Sequence, residues 1–251
     1  MAAPRARGRA TGAADVERSI ARGLAPGALG RPLRVLGEVA STNDTLRREA
    51  AAGLTEGAAV VALRQTRGRG RHGRPWHSPA GRGLYLSVLL RPDWPPAHAG
   101  WLAVLAGLAA RRALEALGVR GVRIKHPNDV VVRDRKIAGI LVEPRSGRHG
   151  IEFAVVGIGV NLSHTKRDFE ASGLEGRATS CALEGVNVGV AAAAIAVLGE
   201  LGRLYREFDG RAPAPWRREW ERFGGRAAVP DVTADAVRLD RGDGGPAREA
   251  T

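Results

Sequence analysis

The sequence predicts an α+β domain in which a sheet of short strands packs against one long apolar helix. The long helix is indicated between His98 and Leu117, where apolar residues recur at helical spacing up to Gly118. Short apolar segments that resemble strands then follow at 122–125, 129–133, 137–143 and 151–161. Because these strands cluster and do not alternate with helices, we expect an α+β layer and not a doubly wound sheet.

The first part of the chain predicts a strand, a helix and two further strands. Residues 33–39 alternate between apolar and polar types, as a half-buried strand does. Residues 41–44 offer several side chains that can cap a helix running to about Ala52. The apolar runs 58–64 and 84–90 flank a long Gly/Arg segment, so we expect two strands joined by a loop.

The second part completes one main domain, which we expect over residues 31–223. Asp134 and Arg135 predict a tight turn between two of the short strands. Helices are expected near 189–208 and 215–222, where apolar residues again recur at helical spacing.

Both ends of the chain differ from this domain in composition. Residues 1–14 are basic and lack apolar periodicity, so we expect residues 1–30 to be a flexible segment with one short helix. Residues 224–251 are polar and glycine-rich. Fewer than about 40 residues rarely fold alone, and this stretch therefore predicts a short, truncated C-terminal segment.

The basic charge of the chain invites a nucleic-acid interpretation. The formal net charge is +13, but only three of the 39 basic residues are lysines, namely Lys125, Lys136 and Lys166. In a chain so rich in Ala and Gly, this preference for Arg is typical of a coding bias and weakens the case for a polyanion ligand. A retained lysine is then informative, because it presents a compact ammonium group that Arg cannot replace.

Composition also excludes some kinds of site and location. Cys181 is the only cysteine, which excludes an intrachain disulfide and a cysteine-based zinc site. No apolar run approaches the roughly 20 residues that cross a bilayer, and the N-terminus lacks the apolar core of a secretory signal. We therefore expect a cytoplasmic protein without a membrane partner.

The Gly/Arg segment at residues 65–76, QTRGRGRHGRPW, is the strongest local indication of a binding site. Glycines let the backbone approach a ligand, and guanidinium groups pair with carboxylate or phosphate. Like charges this close repel one another, so we expect an anionic ligand to order the loop. The alternative is an exposed nucleic-acid-binding tail; the spacing does not match a Walker loop, which ends in Gly-Lys-Ser/Thr.

Three further motifs carry polar residues at strand ends. They are KHPNDV from Lys125, KIAGILVE from Lys136, and VGIGVN, which ends at Asn161. Pro127 stiffens the first motif, and the glycines of the other two leave room for a ligand against the backbone. Together the motifs predict a slot with a glycine floor and a rim of Lys and Asn. Taken singly, an ordinary Pro-Asn-Asp turn or a bulge glycine remains the alternative.

These motifs, in this order and with Ser41-Thr42-Asn43 upstream, resemble those of biotin protein ligases. The resemblance covers residues 33–220 and implies a class II aminoacyl-tRNA synthetase-like mixed sheet with flanking helices. It places a biotin- and ATP-binding catalytic domain at residues 31–223. It also implies the monofunctional class without a DNA-binding domain, and a short tail at residues 224–251 in place of an SH3-like β domain.

The resemblance implies that biotin and ATP form biotinyl-5′-AMP, from which biotin passes to a lysine of a biotin carboxyl carrier protein. Biotin and ATP are then substrates, Mg²⁺ accompanies the nucleotide, and no DNA partner is expected. A homodimer is left open, and no metal ligand is assigned. A lipoate or octanoate transferase and a basic nucleic-acid-binding protein are the competing interpretations.

The resemblance also implies a role for each motif residue. The catalytic residues are Lys136, Arg71 and Arg69. The biotin-binding residues are Ser41, Thr42, Asn43, Gln65, Gly68, Arg69, Arg71, Lys136, Gly139, Gly157 and Gly159. The ATP- or adenylate-binding residues are Arg71, His72, Arg74, Trp76, Asn128, Asp129, Lys136 and Asn161. Arg67 and His126 depart from the family pattern, which usually has a small residue and Trp at these positions.

Overall fold

The computed structural model describes residues 12–147, 150–208 and 214–224. Within these ranges, seven strands form a single mixed sheet. The strands are β1 (Leu33–Leu36), β2 (Ala59–Ala62), β3 (Gly83–Leu90), β4 (Val122–Lys125), β5 (Asp129–Val132), β6 (Arg135–Ser146) and β7 (Ile151–Asn161). Their order is β1-β2-β3-β7-β6-β5-β4. Only β1 and β2 run parallel, and the other neighbours are antiparallel.

Helices cover both faces of this sheet. They are α1 (Ala13–Gly23), α2 (Thr42–Ala51), α3 (Ala99–Ala116), α4 (Lys166–Ala171), α5 (Val190–Glu207) and α6 (Ala214–Arg222). The predicted α+β class is confirmed, and the long apolar helix is α3. In the part of the chain that the structure describes, no helix combines the length and the apolar character needed to cross a membrane.

The alternation of side chains along the central strands separates two cores. In β7, Val156, Ile158 and Val160 point into the larger core, which α1, α3 and α5 cover. Phe153 and Val155 point the other way and pack with residues of α2. The same parity places the glycines of β6 and β7 on the α2 side, where the apolar packing stops.

Helix α2 starts beside that bare region because Ser41 caps it. The Ser41 hydroxyl accepts a hydrogen bond from the backbone N–H of Asp44 at 3.4 Å, as an N-cap residue does. Thr42 and Asn43, in the first turn, are only 4% and 5% exposed. Buried polar groups need hydrogen-bond partners, so the start of α2 is tied to the structure around it.

One local prediction was wrong. The tight turn is formed by Arg133 and Asp134, whose φ angles are 48° and 60°, while Arg135 already belongs to β6. Two residues with positive φ suit a two-residue hairpin, although neither is glycine. The short helix expected within residues 1–30 corresponds to α1, whose Val16 and Ile20 are buried in the larger core.

The last described residues, 214–224, lie beside β4, which is an edge strand of the sheet. The backbone N–H of Ile124 donates to the carbonyl of Phe223 at 2.7 Å, so the end of α6 covers part of that edge strand. Trp216 and Trp220 of α6 are buried in the larger core. The predicted C-terminal segment beyond Gly224 and the first eleven residues lie outside the described residues.

Candidate functional site

A bare patch of sheet lies on the α2 side of β3, β6 and β7. Gly139 of β6 is directly opposite Gly159 of β7, and Leu141 is opposite Gly157. On its other side, Gly157 is opposite Ser87 of β3. Three glycines on neighbouring positions of one face leave the backbone open to another flat or polar group.

The group on this patch is the indole of Trp76. A Cβ on Gly159 would lie 2.5–2.7 Å from three indole atoms, and a Cβ on Gly139 would lie 3.0 Å from Trp76 Cζ3. The indole Nε1 is buried without a hydrogen-bond partner among the described residues. The glycine floor that the sequence predicted for a flat ligand therefore carries a side chain of the chain itself.

Gly157 makes room for a different side chain. A Cβ at this position would collide with the carboxamide of Asn43, whose Cγ and Nδ2 would lie 3.0 Å away. The space directly over Gly157 is therefore filled by a residue of α2, while Gly157 still lines a cavity. Because Gly157 has no side chain, Asn43 can lie against the sheet.

The Gly/Arg segment folds back on itself, and this turn places Trp76 on the patch. Gly70 N–H donates to the Arg74 carbonyl at 2.7 Å, and Trp76 N–H donates to the Gly68 carbonyl at 2.9 Å. Gly68 is required at the crossing, since a Cβ there would lie 2.9 Å from the Trp76 carbonyl oxygen. Arg71 lies in the 3₁₀ turn at the tip.

Arg69 is already paired with two carboxylates. It contacts Asp44 with both terminal nitrogens, at 2.6 and 2.8 Å, and Glu143 at 2.8 Å. Burial alone would raise the pKa of Asp44, but the hydrogen bonds and charge of Arg69 outweigh it and hold that pKa below its usual value. The charge of exposed Arg67 acts in the same direction. The expected repulsion within the loop is thus relieved at Arg69 by protein carboxylates and needs no ligand there.

Further polar side chains link Glu143 to the start of α2. Asn43 Nδ2 donates to Glu143 Oε2 at 2.6 Å, and the hydroxyl of Ser87 lies 2.5 Å from Asn43 Oδ1 and 2.8 Å from Thr42 Oγ1. The Thr42 backbone N–H donates to Gln65 Oε1 at 2.9 Å. One network therefore holds α2, β3, β6 and the loop together.

Lys136 lies beside Trp76 at the start of β6. Its Nζ is 2.6 Å from Asp129 Oδ1 and 5.1 Å from the centre of the Trp76 ring. A Cβ on Gly139 would lie 3.1 Å from the same nitrogen. The retained lysine is thus a charged group placed between the glycine patch and the acidic end of the KHPND motif.

Asn128 and Asn161 fix the backbone around Lys136. Asn128 Nδ2 donates to the Ile140 carbonyl at 2.9 Å, next to a register shift between β5 and β6. Asn161 Nδ2 donates to the carbonyls of Thr179 and Lys136, at 3.0 and 3.3 Å. Both side chains therefore donate to backbone carbonyls, which gives each of them a positioning role.

The predicted site residues converge on two adjoining cavities. The smaller, about 440 Å³, is lined by nine of the predicted biotin-binding residues: Ser41, Thr42, Asn43, Gln65, Arg69, Lys136, Gly139, Gly157 and Gly159. The larger, about 1610 Å³, is as open to solvent as the smaller and is lined by every predicted adenylate-binding residue: Arg71, His72, Arg74, Trp76, Asn128, Asp129, Lys136 and Asn161. Gly68 and Arg71 do not line the smaller cavity. Trp76 and Lys136 belong to both.

Three residues of this site were missed from the sequence. Glu143 has the same strand parity as Gly139, four residues earlier, so the period of two could have placed it on the patch. Ser87 is a lone polar residue in the otherwise apolar strand LYLSVLL, which is itself a signal. Asp44 follows the N-cap by three residues, where carboxylates are common, and nothing local indicates its pairing with Arg69.

A buried histidine lies behind the larger cavity. His164 is 0% exposed and stacks on Phe169, which lines the cavity, with ring centroids 5.2 Å apart. Burial, and then the charge of His77, lower the pKa of His164 to about 4, although Asp168 opposes the shift. The side chain is therefore neutral at physiological pH.

Comparison with known proteins places these features in a family. The model of the biotin/lipoate A/B protein ligase family matches residues 36–161, half of the chain. A bifunctional ligase/repressor BirA of Bacillus spizizenii is 32% identical over 208 residues, which are 82% of this chain and 64% of that protein. The chain thus spans less than two thirds of this curated relative.

Solved structures show the same fold. A biotin protein ligase from Aquifex aeolicus, in complex with biotin and ATP, superposes with a TM-score of 0.63 at 30% identity, covering 76% of this chain and 77% of that one. A biotin protein ligase from Leishmania major, in complex with biotinyl-5-AMP, gives 0.62 at 27% identity, with 86% and 87% covered. Since the family model matches half of the chain, including most of the residues that line both cavities, this chain belongs to the biotin/lipoate A/B protein ligase family.

Proposed function

We propose that this protein activates biotin with ATP to give biotinyl-5′-AMP and then transfers biotin to a lysine of a biotin carboxyl carrier protein. The observation that carries the proposal is the junction of the two cavities at Trp76 and Lys136. The smaller cavity has hydrogen-bonding walls suited to a compact polar ring, and the larger has basic walls suited to a nucleotide. The likeness to structures described with biotin and ATP or with biotinyl-5-AMP supports this division.

In the first step, a carboxylate oxygen of biotin attacks the α-phosphorus of ATP, and pyrophosphate leaves. Lys136, at the junction, is placed to stabilise the negative charge that builds up on the α-phosphate. We propose that Arg71, His72 and Arg74 of the larger cavity contact the phosphates. Arg69, neutralised by two carboxylates, then acts mainly by shaping the pocket and contributes less to binding the biotin carboxylate.

In the second step, the amine of the acceptor lysine attacks the biotinyl carbonyl, an amide forms and AMP leaves. The amine must reach the anhydride at the junction, and the opening of the larger cavity offers the path. We propose that the acceptor protein docks around this opening. We propose that the protein acts in the cytoplasm.

We propose that Mg²⁺ enters with ATP and is not held by a dedicated site. No group of three or more acidic, histidine or cysteine side chains suited to a metal is found among the described residues. Mg²⁺ usually keeps several waters and binds through substrate phosphates with one or two carboxylates. Asp129, which lines the larger cavity together with Asn128, fits this requirement.

We further propose that the mixed sheet is of the class II aminoacyl-tRNA synthetase type and that the chain acts without binding DNA. The deciding test of the function is pyrophosphate exchange with biotin, lipoate and octanoate, each with ATP and Mg²⁺. Exchange with biotin is expected, at a kcat/KM far above that for lipoate or octanoate. Exchange with lipoate or octanoate but not biotin would assign a lipoyl-type activity, and salt-sensitive duplex binding without any exchange would favour a nucleic-acid-binding protein.

A further inference from the structure

Glu143 is a buried carboxylate that nothing in the proposed reaction requires to be charged. It is 4% exposed, on the site face of β6, and does not line either cavity. Two donors converge on it from different parts of the chain: Arg69 Nη2 at 2.8 Å and Asn43 Nδ2 at 2.6 Å. A buried carboxylate with so little solvent is retained only when its partners are well placed.

A carboxylate can only accept hydrogen bonds, and this fixes the orientation of Asn43. Asn43 must turn its N–H₂ group to Glu143, so its Oδ1 faces Ser87, 2.5 Å away. The single hydroxyl hydrogen of Ser87 is then used on that oxygen. The 2.8 Å contact between Ser87 and Thr42 can then take its hydrogen only from the Thr42 hydroxyl, which also lies 3.1 Å from Gln65 Oε1.

The result is a chain of hydrogen bonds with one direction. One amide hydrogen of Asn43 and the hydroxyl hydrogen of Ser87 point towards Glu143, and the Thr42 hydroxyl hydrogen is used on Ser87 or Gln65, so all three are used within the protein. Thr42 and Asn43 line the smaller cavity and have left for a ligand the lone pairs of Thr42 Oγ1 and Asn43 Oδ1, together with the second amide N–H of Asn43. The two oxygens suit a ligand that brings N–H donors.

We propose that Glu143 is a positioning residue that sets the donor and acceptor polarity of the small cavity and thereby selects a ureido ring over an acyl chain without N–H groups. The proposal rests on the proposed function, because it names the part of biotin that this cavity recognises. Biotin carries two ureido N–H donors at the end of the molecule remote from its carboxylate. Octanoate carries none and gains nothing from these two oxygens.

The test is a double-mutant cycle that reverses one hydrogen bond without changing side-chain size. The variants are Glu143→Gln, Asn43→Asp and the double variant. In Glu143→Gln an amide faces the Asn43 amide, and in Asn43→Asp two carboxylates face each other. In the double variant the introduced glutamine donates to the introduced aspartate, which still accepts from Ser87, so the direction of the chain is restored.

The measurements are the Kd of biotin by titration calorimetry and kcat and KM for pyrophosphate exchange with biotin and octanoate. Each single variant is expected to weaken biotin binding by about ten- to a hundredfold, mainly in KM. The double variant should recover to within about threefold of wild type. The ratio of kcat/KM for biotin over octanoate should fall in Glu143→Gln. Glu152→Gln, which removes an exposed carboxylate of β7 paired with Arg145, is the matched control and should leave all values unchanged.

The outcomes separate the proposal from its premise. If the double variant binds biotin no better than the weaker single variant, or if Glu143→Gln lowers the biotin and octanoate reactions equally, Glu143 is structural and the proposal is wrong. If wild type binds no biotin at all, the proposed function fails first. Should Glu143→Gln not fold, Ser87→Ala interrupts the same chain without touching Arg69, and biotin affinity unchanged from wild type would then overturn the proposal.

Discussion

Trp76 lies on the backbone of Gly159 so closely that a methyl group at position 159 would come within 2.5–2.7 Å of three indole atoms. The indole also forms part of the wall between the two cavities. Its position therefore depends on a residue that has no side chain, in a different strand of the sheet.

Gly159→Ala is expected to displace Trp76. Overpacking of this kind costs about 1–3 kcal/mol of unfolding free energy, and a shifted wall should lower kcat/KM for adenylation by about 10²-fold. Urea denaturation and pyrophosphate exchange measure the two effects. In a Trp76→Ala background the stability cost should vanish, because the clashing atoms are gone.

Gly199→Ala is the matched control for that substitution. Gly199 lies in α5 with no atom within 4 Å of a built Cβ, so alanine should stabilise the chain by about 0.5–1 kcal/mol. A Gly159→Ala protein that is as stable and as active as wild type would show that the indole does not need this position.

Lys136→Ala should separate the two half-reactions. Loss of a donor that acts on the transition-state charge typically costs about 10²–10³ in rate, so formation of biotinyl-5′-AMP should fall by that factor. Transfer from supplied adenylate should fall much less. Lys136→Arg should not restore the first step fully, because the planar fork does not fit between Asp129 and the indole.

Single-turnover kinetics of both steps check this expectation, with thermal melts to verify folding. Lys166→Ala, at the exposed start of α4, is the control and should behave as wild type. Equal losses in the two steps, or full activity of Lys136→Arg, would remove the role assigned to Lys136.

Arg71→Gly should leave a folded enzyme that holds its intermediate poorly. Arg71 lies at the tip of the loop, where substitution changes stability by less than about 0.5 kcal/mol. A charge-assisted bond contributes roughly 1.5–3 kcal/mol, so adenylate should leave about ten to a hundred times more readily. Labelling of bystander proteins reports this release. Arg67→Gly, in the same loop but on neither cavity, should label no more than wild type does.

His164 should make stability depend on pH. Its folded pKa of about 4 is below the ordinary value of 6.5, so between these values the unfolded chain binds a proton that the folded chain does not. The contribution is complete above about pH 6.5 and is lost as the pH falls towards 4, by up to about 3 kcal/mol. Urea denaturation at pH 7 and pH 4.5 should show a smaller difference for His164→Phe than for wild type. His98→Gln, at the start of α3, should keep the wild-type dependence; an unchanged dependence in His164→Phe would refute the assignment.

Periodicity was enough to predict most of the fold. The apolar runs of β3, β7 and α3 are long and bounded by turn residues, so their limits in the structure differ little from those expected. The turn at Arg133 was misplaced by one residue because neither of its residues is a usual positive-φ type. The helix α4 has only six residues, too few to show a helical period.

The site was harder to predict because its decisive contacts join distant residues. The motifs identify which residues meet, but the Arg69–Glu143 pair spans 74 positions and the Asn43–Glu143 bond spans 100. No local pattern indicates that a glycine is occupied from elsewhere in the chain, as Gly157 is by Asn43. Packing across the sheet, and not propensity, decides these contacts.

The wall shared by the two cavities makes their ligands thermodynamically dependent on each other. Gly70, Trp76, Asn128 and Lys136 face both spaces, so a ligand that moves any of them in one space alters the other. Whatever factor biotin applies to nucleotide affinity, the nucleotide must apply to biotin affinity. An ordered addition of substrates would then reflect this reciprocity together with access rates. The factor by which bound nucleotide changes the affinity for biotin must equal the factor by which bound biotin changes the affinity for nucleotide.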